Sequence, residues 1–366
     1  MSQALLKGFE DQIKDAAQAK QVLRITGSGT KDWLGGALNG SPLTTKAYQG
    51  VVSYQPDELV ITVKAGTPLA EVEAILAEKN QQFAFEPPHF GKDATIGGMV
   101  CAGLAGPGRV SVGNLRDFVL GAKIMDGQGQ IMNFGGTVMK NVAGYDVSRL
   151  MPGSLGTLAL LLDVSIKVLP RPAATATLSS EINQADAIHL MNLLASQPWP
   201  LSASAWQGEQ TGQLHIRLNG AKAAVASAIQ NFGSQYGMKP LDPIEAEQYW
   251  KNLKEQQLNW FKESSDTPLW RFAVAPTSKP LTLTGETFIE WHGGQRWWKG
   301  QIDSTQAKQV AQNAHGHASI FRASNKNPAM LSSLKDHPLT SPLSLIQDQL
   351  SKAFDPHGVF ATGRLA

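Results

Sequence analysis

Short runs of β-branched and aliphatic residues, separated by glycines and polar pairs, alternate with helical periodicity through the first 172 residues. The runs QVLRIT (21–26), GVVSYQ (50–55) and LVITVKAGTP (59–68) predict strands, and LAEVEAILAEKN (69–80), with apolar residues three and four apart, predicts a helix. QQFAFEPP (81–88) reads as a further strand. FVLGAKIMDGQGQIMNFGG (118–136) reads as a hairpin turning at Asp126-Gly127, and LALLLDVSIKVLP (158–170) as a long strand stopped by Pro170 and Pro172. The N-terminal MSQALLKGFEDQIKDAAQ is patterned as an amphipathic surface helix, not as a signal peptide.

Beyond the two prolines the texture changes: glycine thins out and eight of the nine tryptophans follow. Strand ATATLSSEI, helix QADAIHLMNLLAS, strands SASAWQ and QLHIRL and helix AKAAVASAIQNFGSQ suggest a small antiparallel sheet backed by helices, of ferredoxin-like type. A second such pass comes next. It has one helix over EAEQYWKNLKEQQLNWF (245–261), strand LWRFAVAP, strands within TFIEWHGGQRWWKG (287–300), helix STQAKQVAQNA and strand HASIFRA. LSLIQDQLSKAFDPHGVF (343–360) reads as one amphipathic helix with a short tail. The fold class is therefore α+β, divided as 1–172, 173–330 and 331–366.

Composition removes whole classes of function. With 32 basic and 30 acidic residues the net charge is +2, mixed along the chain, so nothing points to nucleic acid. No apolar run reaches the roughly 18 residues a membrane helix needs, and a cytoplasmic protein is expected. The single cysteine, Cys101, makes no internal disulfide and anchors no iron–sulfur cluster, so such chemistry would belong to a partner.

The 35 glycines are concentrated before residue 160, and they carry the candidate chemistry. Residues 24–36, RITGSGTKDWLGG, resemble a phosphate loop. The dinucleotide fingerprint fails at Asp32, where a third glycine belongs, and the P-loop fails because Lys31 sits between Thr30 and Asp32. What remains is a nest, Thr26-Gly27-Ser28-Gly29-Thr30, able to hold an anion on backbone N–H groups; an ordinary turn is the alternative for this loop alone. Thr95-Ile96-Gly97-Gly98, with Cys101-Ala102-Gly103 after it, is a second such stretch, and Gly153-Ser154-Leu155-Gly156-Thr157 a third.

The runs DATIGGMVCAGLAGPG (93–108), LRDFVLGAKIMDGQGQ (115–130) and FGGTVMKNVAGYDVSRLMPGSLGTLALLLDVSIKVLPRP (134–172), with EPPHFG (86–91), resemble the FAD-binding domain of the vanillyl-alcohol oxidase and p-cresol methylhydroxylase (PCMH) type. More narrowly they resemble the FAD-binding E subunits of bacterial glycolate oxidase, more loosely so through EWHGGQRWW, GHASIFR and FDPHGVF. The resemblance implies a PCMH-type two-subdomain FAD domain, a smaller cap domain for substrate or subunit contact, and a C-terminal segment returning to the FAD domain. It implies FAD as cofactor, its pyrophosphate wrapped by Thr26, Gly27, Ser28, Gly29 and Thr30 and by Thr95, Gly97 and Gly98. Pro88, Ala102, Gly103, Arg116, Asp117 and Arg364 complete the cofactor set, with Gly153, Gly156 and Thr157 along the isoalloxazine. Arg116 and Arg149 serve equally as ion-pair partners of Asp117 and Asp146. The tail departs from the family: Phe360-Ala361-Thr362-Gly363-Arg364 lacks an Asn that reaches the flavin in relatives, and only Gly363 and Arg364 carry over.

The implied partners are a paralogous FAD-binding D subunit and an iron–sulfur F subunit, with attachment to the inner face of the membrane through them, and the implied substrate is a small 2-hydroxy acid such as glycolate. His89 invites a covalent flavin bond, but its two prolines fit a rigid loop equally, and noncovalent FAD is expected. His315 and His317, two apart on a strand, could share a face toward a metal, yet no third ligand is identifiable and no metal site is expected. His292, His317 and Arg322 are the candidates for catalysis. WHGGQRWW (291–298), with His292, Arg296, Trp297 and Trp298, is read as a subunit contact, a polar and aromatic substrate patch and a packed sheet face being the alternatives. Two roles stay open: a subunit that oxidises substrate, and a companion that stabilises a catalytic D subunit.

Overall fold

The computed structural model describes residues 2–36, 38–136, 146–262, 267–323 and 341–364. The motif residues TVMKNVAGY (137–145) and positions 331–340 of the C-terminal segment lie outside them. The chain divides into two compact units: Met1–Leu104 with Asn114–Pro170 and Pro338–Ala366, and Ala105–Gly113 with Arg171–His337. Residues 105–113, which the sequence places in the first domain, group with the second unit.

In the first unit the helix Ser2–Ala19 buries Phe9, Ile13 and Ala16, four and seven residues apart, against Leu23, Leu43, Val359 and Phe360. An antiparallel five-stranded sheet runs in the order Val51–Gln55, Val60–Lys64, Leu160–Lys167, Val119–Met125, Ile131–Gly135. The central strand Leu160–Lys167 is buried almost without alternation because both its faces are covered, its polar Asp163 and Ser165 bonded to Tyr48 and Thr62. One of its neighbours, Val119–Met125, forms the expected hairpin with Ile131–Gly135, in which Asp126 Oδ1 accepts the amides of Gln128 and Gln130 at 2.9 and 2.8 Å. The expected strand over 81–88 shrinks to Gln81–Gln82, paired with Leu169–Pro170. The C-terminal helix stops at Phe354 instead of running on. There the Asp355 carboxylate accepts the amides of Val359 (2.8 Å) and Phe360 (2.6 Å), turning both side chains into the core.

In the second unit the two expected passes fuse into a single antiparallel eight-stranded sheet. Helices Gln184–Ala195 and Lys222–Tyr236 cover Leu178, Trp206, Ile216 and Leu218. Helix Ser304–Asn313 covers Trp270, Phe272, Trp298 and Ile320. The helix expected over 245–261 is two, Pro243–Lys254 and Asn259–Lys262. Gln256 takes a φ of 52° between them, and the Gln257 amide turns back to the Asn252 carbonyl at 2.7 Å. WHGGQRWW is sheet interior, not a free contact face: Arg296 is 1% exposed, its guanidinium donating to the carbonyls of Gly293, Ser278 and Lys279. Trp297 and Trp298 spend their indole N–H groups on Glu290 and the Thr284 carbonyl. Among the described residues no helix is long and apolar enough to cross a membrane.

Candidate functional site

Strand Leu23–Thr26 pairs in parallel with Ser41–Thr44, a geometry that requires a crossover between them. The glycine-rich stretch after Thr26 is that crossover, which explains why it satisfies neither the Rossmann nor the P-loop pattern: no helix comes after it. Gly29 turns the loop at a φ of 77°. Among the described residues, no backbone acceptor takes the amides of Gly27, Ser28, Gly29 or Thr30. The residues carrying these four amides line a cleft of about 650 Å³ counted to its open mouth, a row suited to a phosphate.

Residues 94–98 build the facing wall by a different device. The Ile96 amide goes to the Thr67 carbonyl, that of Gly97 to Ala65 at 2.7 Å, and that of Gly98 to Thr95 Oγ1 at 3.2 Å. This loop thus contributes space instead of the amides the sequence pattern suggests. A Cβ on Gly27 would lie 2.3 Å from Thr95 Oγ1, so the two loops touch only because residue 27 has no side chain. A Cβ on Gly98 would meet only Thr95 Oγ1, at 3.2 Å, and otherwise enter the opening.

Thr26, Gly27, Ser28, Gly29, Thr30, Thr95, Gly97, Gly98, Ala102, Gly156 and Arg364 line the cleft. Pro88, Gly103, Arg116, Asp117, Gly153 and Thr157 are absent from that lining. Gly103 is instead the left-handed cap of helix Ile96–Ala102, so close to Gly153 that a Cβ would sit 2.7 Å from its nitrogen. The amides of Gly153 and Thr157 are taken by Val100 and Ser154 carbonyls, which leaves them nothing to give a flavin ring. Asp117 closes a capping box with Asn114, Arg116 is exposed, and Arg149 pairs with Asp146 at 3.0 Å.

Sequence reasoning missed Lys31, Asp32, Thr45, Ala65 and the wall role of Cys101. The signal for Lys31 and Asp32 was their place directly after the nest; Thr45 and Ala65 arrive through pairing that no local pattern announces. Lys31 Nζ donates to the His89 carbonyl at 2.9 Å, and Trp33 meets the Phe90 ring edge-on, so the EPPHFG loop props the crossover from behind. His89 is held by Glu73, Nε2 to Oε2 at 2.8 Å, and does not line the cleft. Burial pushes the Cys101 thiol above its ordinary range, opposed by the Ser154 hydroxyl, the Gly156 N–H and the charge of Arg364. Arg24 reaches Asp32 at 3.4 Å, and the Nε atoms of Arg24 and Arg364 are buried without an acceptor. A row of open amides, a space a Cβ would fill and the Arg364 Nε without an acceptor at the cleft fit the anionic centre of FAD.

The catalytic candidates do not converge. His317 and Arg322 stand at opposite ends of the edge strand His317–Arg322, roughly 17 Å apart at 3.3 Å per residue. His315 sits in the preceding turn at a φ of 55°, so the two histidines do not share a strand face. Arg322 donates to Gln256 Oε1 at 3.0 Å. His292 is 7% exposed, its Nδ1 2.8 Å from Ser204 Oγ and its carbonyl taken by Asn192. Neither pattern nor spacing revealed a charged group beside it, in which Trp291 has Arg109 and Arg271 over its ring at 4.4 and 5.4 Å and Gln295 bridges Arg271 to Glu290.

Burial lowers His292 to about 4, against 6.5 in an unfolded chain. The unfolded chain binds the proton first, so this stability is complete above pH 6.5 and is lost as pH falls toward 4. Between pH 7 and pH 5 it amounts to about 2 kcal/mol. Urea unfolding of His292→Gln at both pH values should therefore show a drop smaller by about that amount than the parent's; equal drops would mean that His292 protonates freely in the folded protein.

A family model described as an FAD binding domain matches residues 9–135. The fold is shared with a solved alkyldihydroxyacetonephosphate synthase, at 12% identity and a TM-score of 0.61 over 96% of this chain and 74% of that one. Glycolate oxidase subunit GlcD of Bacillus subtilis (strain 168) is 32% identical over 165 residues, 44% of this chain and 34% of that protein. Glycolate oxidase subunit GlcE of Escherichia coli (strain K12) is 42% identical over 364 residues, 100% of this chain and 97% of that protein. Similarity that runs from one end to the other, together with the FAD-binding model over residues 9–135, means that the chain belongs to the glycolate oxidase subunit GlcE family of FAD-binding oxidoreductase subunits.

Proposed function

We propose that this chain is the FAD-holding E subunit of a multisubunit glycolate oxidase, working beside a paralogous D subunit and an iron–sulfur subunit in converting glycolate to glyoxylate. The observation that carries this is the row of open amides at Gly27, Ser28, Gly29 and Thr30 facing the space beside Gly98. Bound there, FAD supplies a two-electron acceptor that can release electrons singly to an iron–sulfur centre. This chain's own residues bind the phosphates, exclude side chains from the space they need, and hold the loops in register. With only Cys101, the chain supplies no cluster ligand set, so onward transfer belongs to a partner. Similarity to a D subunit over 165 residues supports a shared FAD domain in that partner.

The second reading is a companion that holds FAD, or none, while the D subunit oxidises the substrate. It is favoured by the pinned His292 and by the separation of His317 from Arg322. The visible spectrum of the purified full chain is the test of the first. A yellow protein whose flavin is released by acid is expected, since His89 is engaged by Glu73 away from the cleft. A colourless protein that takes up no FAD would leave only the flavin-free companion. Colour that stays with the acid-precipitated chain would instead mean a covalent bond.

A further inference from the structure

Asp355 to Phe360 anchor the C-terminal tail firmly, and residues 362–364 beyond them reach the crossover loop. Val359 and Phe360 are fully buried, and the Asn39 side chain donates to the Thr362 carbonyl at 3.1 Å. Arg364 Nη2 donates to the Lys31 carbonyl at 3.2 Å and also to that of Leu34. Packing is as close as the bonding. A Cβ on Gly36 would lie 3.2 Å from the Gly363 carbonyl oxygen, and one on Gly35 would lie 3.3 Å from that of Arg364. The loop segment 31–36 is thus seated on residues 362–364, immediately after the four open amides.

Two further facts turn this seat into a link with the ligand. Arg364 itself lines the cleft, and its Nε is buried with no acceptor. Asp32, a carboxylate in a cleft meant for an anion, is flanked by Arg24 at 3.4 Å. The Arg364 charge acts on Asp32 as well. An orphaned buried donor is costly, and an anionic ligand that accepts from it removes the cost. Ligand binding and tail docking then stabilise one another, as linkage requires.

We propose that Arg364 is a positioning residue that latches the tail 359–364 onto the crossover loop, so that FAD phosphate binding and tail docking occur as one coupled event. The proposal rests on the FAD reading above. The latch acts through the carbonyls of Lys31 and Leu34, which fixes the direction in which the amides of 27–30 point. Fork geometry matters here, since one guanidinium must serve two carbonyls and still offer Nε; an ammonium on a flexible stem cannot.

FAD titration of the full chain, monitored by flavin fluorescence, tests it with Arg364→Lys, Arg364→Gln and Gly36→Val. All three should raise the Kd about tenfold or more. Gly36→Val is the informative one, because Gly36 does not line the cleft and acts only by pushing Gly363 away. Hydrogen exchange of the parent protein supplies a second readout: FAD should slow the amides of 31–36 and 359–364 together. Weakened binding in the Arg364 variants with Gly36→Val unchanged would make Arg364 a ligand contact only, without the latch, and overturn the proposal. So would an exchange rate in 359–364 that ignores FAD. A parent protein that binds no FAD removes the cofactor reading and the latch together, whereas a parent that binds FAD no more tightly than all three variants removes the latch alone.

Discussion

A Gly98→Val variant is expected to purify folded and colourless, its affinity for FAD reduced about a hundredfold or more, a loss of about 3 kcal/mol. The glycines around the cleft do different jobs, and Gly98 is the one that separates the cofactor from the fold. At Gly97 a Cβ would lie 2.8 Å from Ala65 Cβ and 3.0 Å from the Ala65 carbonyl oxygen, so a side chain there forces the backbone apart. At Gly27 it would lie 2.3 Å from Thr95 Oγ1 and drive the two loops away from each other. At Gly98 it meets only the Thr95 hydroxyl, at 3.2 Å, and the rest of a valine extends into the opening. Its backbone is helical, a conformation in which valine is no worse than glycine. Circular dichroism should match the parent while the visible flavin band is absent after purification and returns poorly on adding FAD. Flavin content equal to the parent's in a folded variant would remove this loop from the cofactor site.

The elements legible in the sequence are those whose cause is local. Asp126 announces its hairpin because its carboxylate caps the turn it belongs to. The helix Leu69–Glu78 is announced by the three- and four-residue spacing of its buried Leu69, Val72 and Leu76. The nest at Thr26–Thr30 is visible because glycine and hydroxyl residues are written there in a row, but its geometry is not. The parallel pairing of Leu23–Thr26 with Ser41–Thr44 depends on contacts across the loop and leaves no period in the sequence. The same holds for Gly97, which looks like an amide donor to a ligand and is in fact a close-packing residue against Ala65. Arg296 shows the opposite failure: among tryptophans it suggests a contact surface, yet three carbonyls satisfy it inside the sheet. Residues 105–113 read as part of the first domain because they continue its glycine-rich texture. Their partners, the Ser202 carbonyl accepting from Ser111 and the Trp291 indole donating to Gly106, lie far along the chain.

Mixed anaerobically with glycolate, the FAD-loaded chain alone is expected to keep its flavin band, whereas the assembled complex loses it. Oxidising a 2-hydroxy acid requires a group to take the hydroxyl proton as hydride leaves the carbon, and a placed base commonly contributes about 10²- to 10⁴-fold. The candidates within this chain are poorly suited to that task. Burial holds His292 to about 4, so it is neutral near pH 7, but its Nδ1 faces Ser204 and its main chain is fixed by Ser204 and Asn192. A guanidinium is no base, and Arg322 is bonded to Gln256. His317 is exposed at the start of an edge strand. Among the described residues no three His, Cys, Asp or Glu side chains come together as a metal site able to replace a base. The expected deficit is therefore at least a hundredfold in the rate of flavin reduction relative to the complex. Stopped-flow absorbance of the single subunit, then of the same subunit with its partners restored, measures it directly. Rapid and complete bleaching of the subunit alone would make the chain a dehydrogenase in its own right, and His317 would then be the first residue to replace.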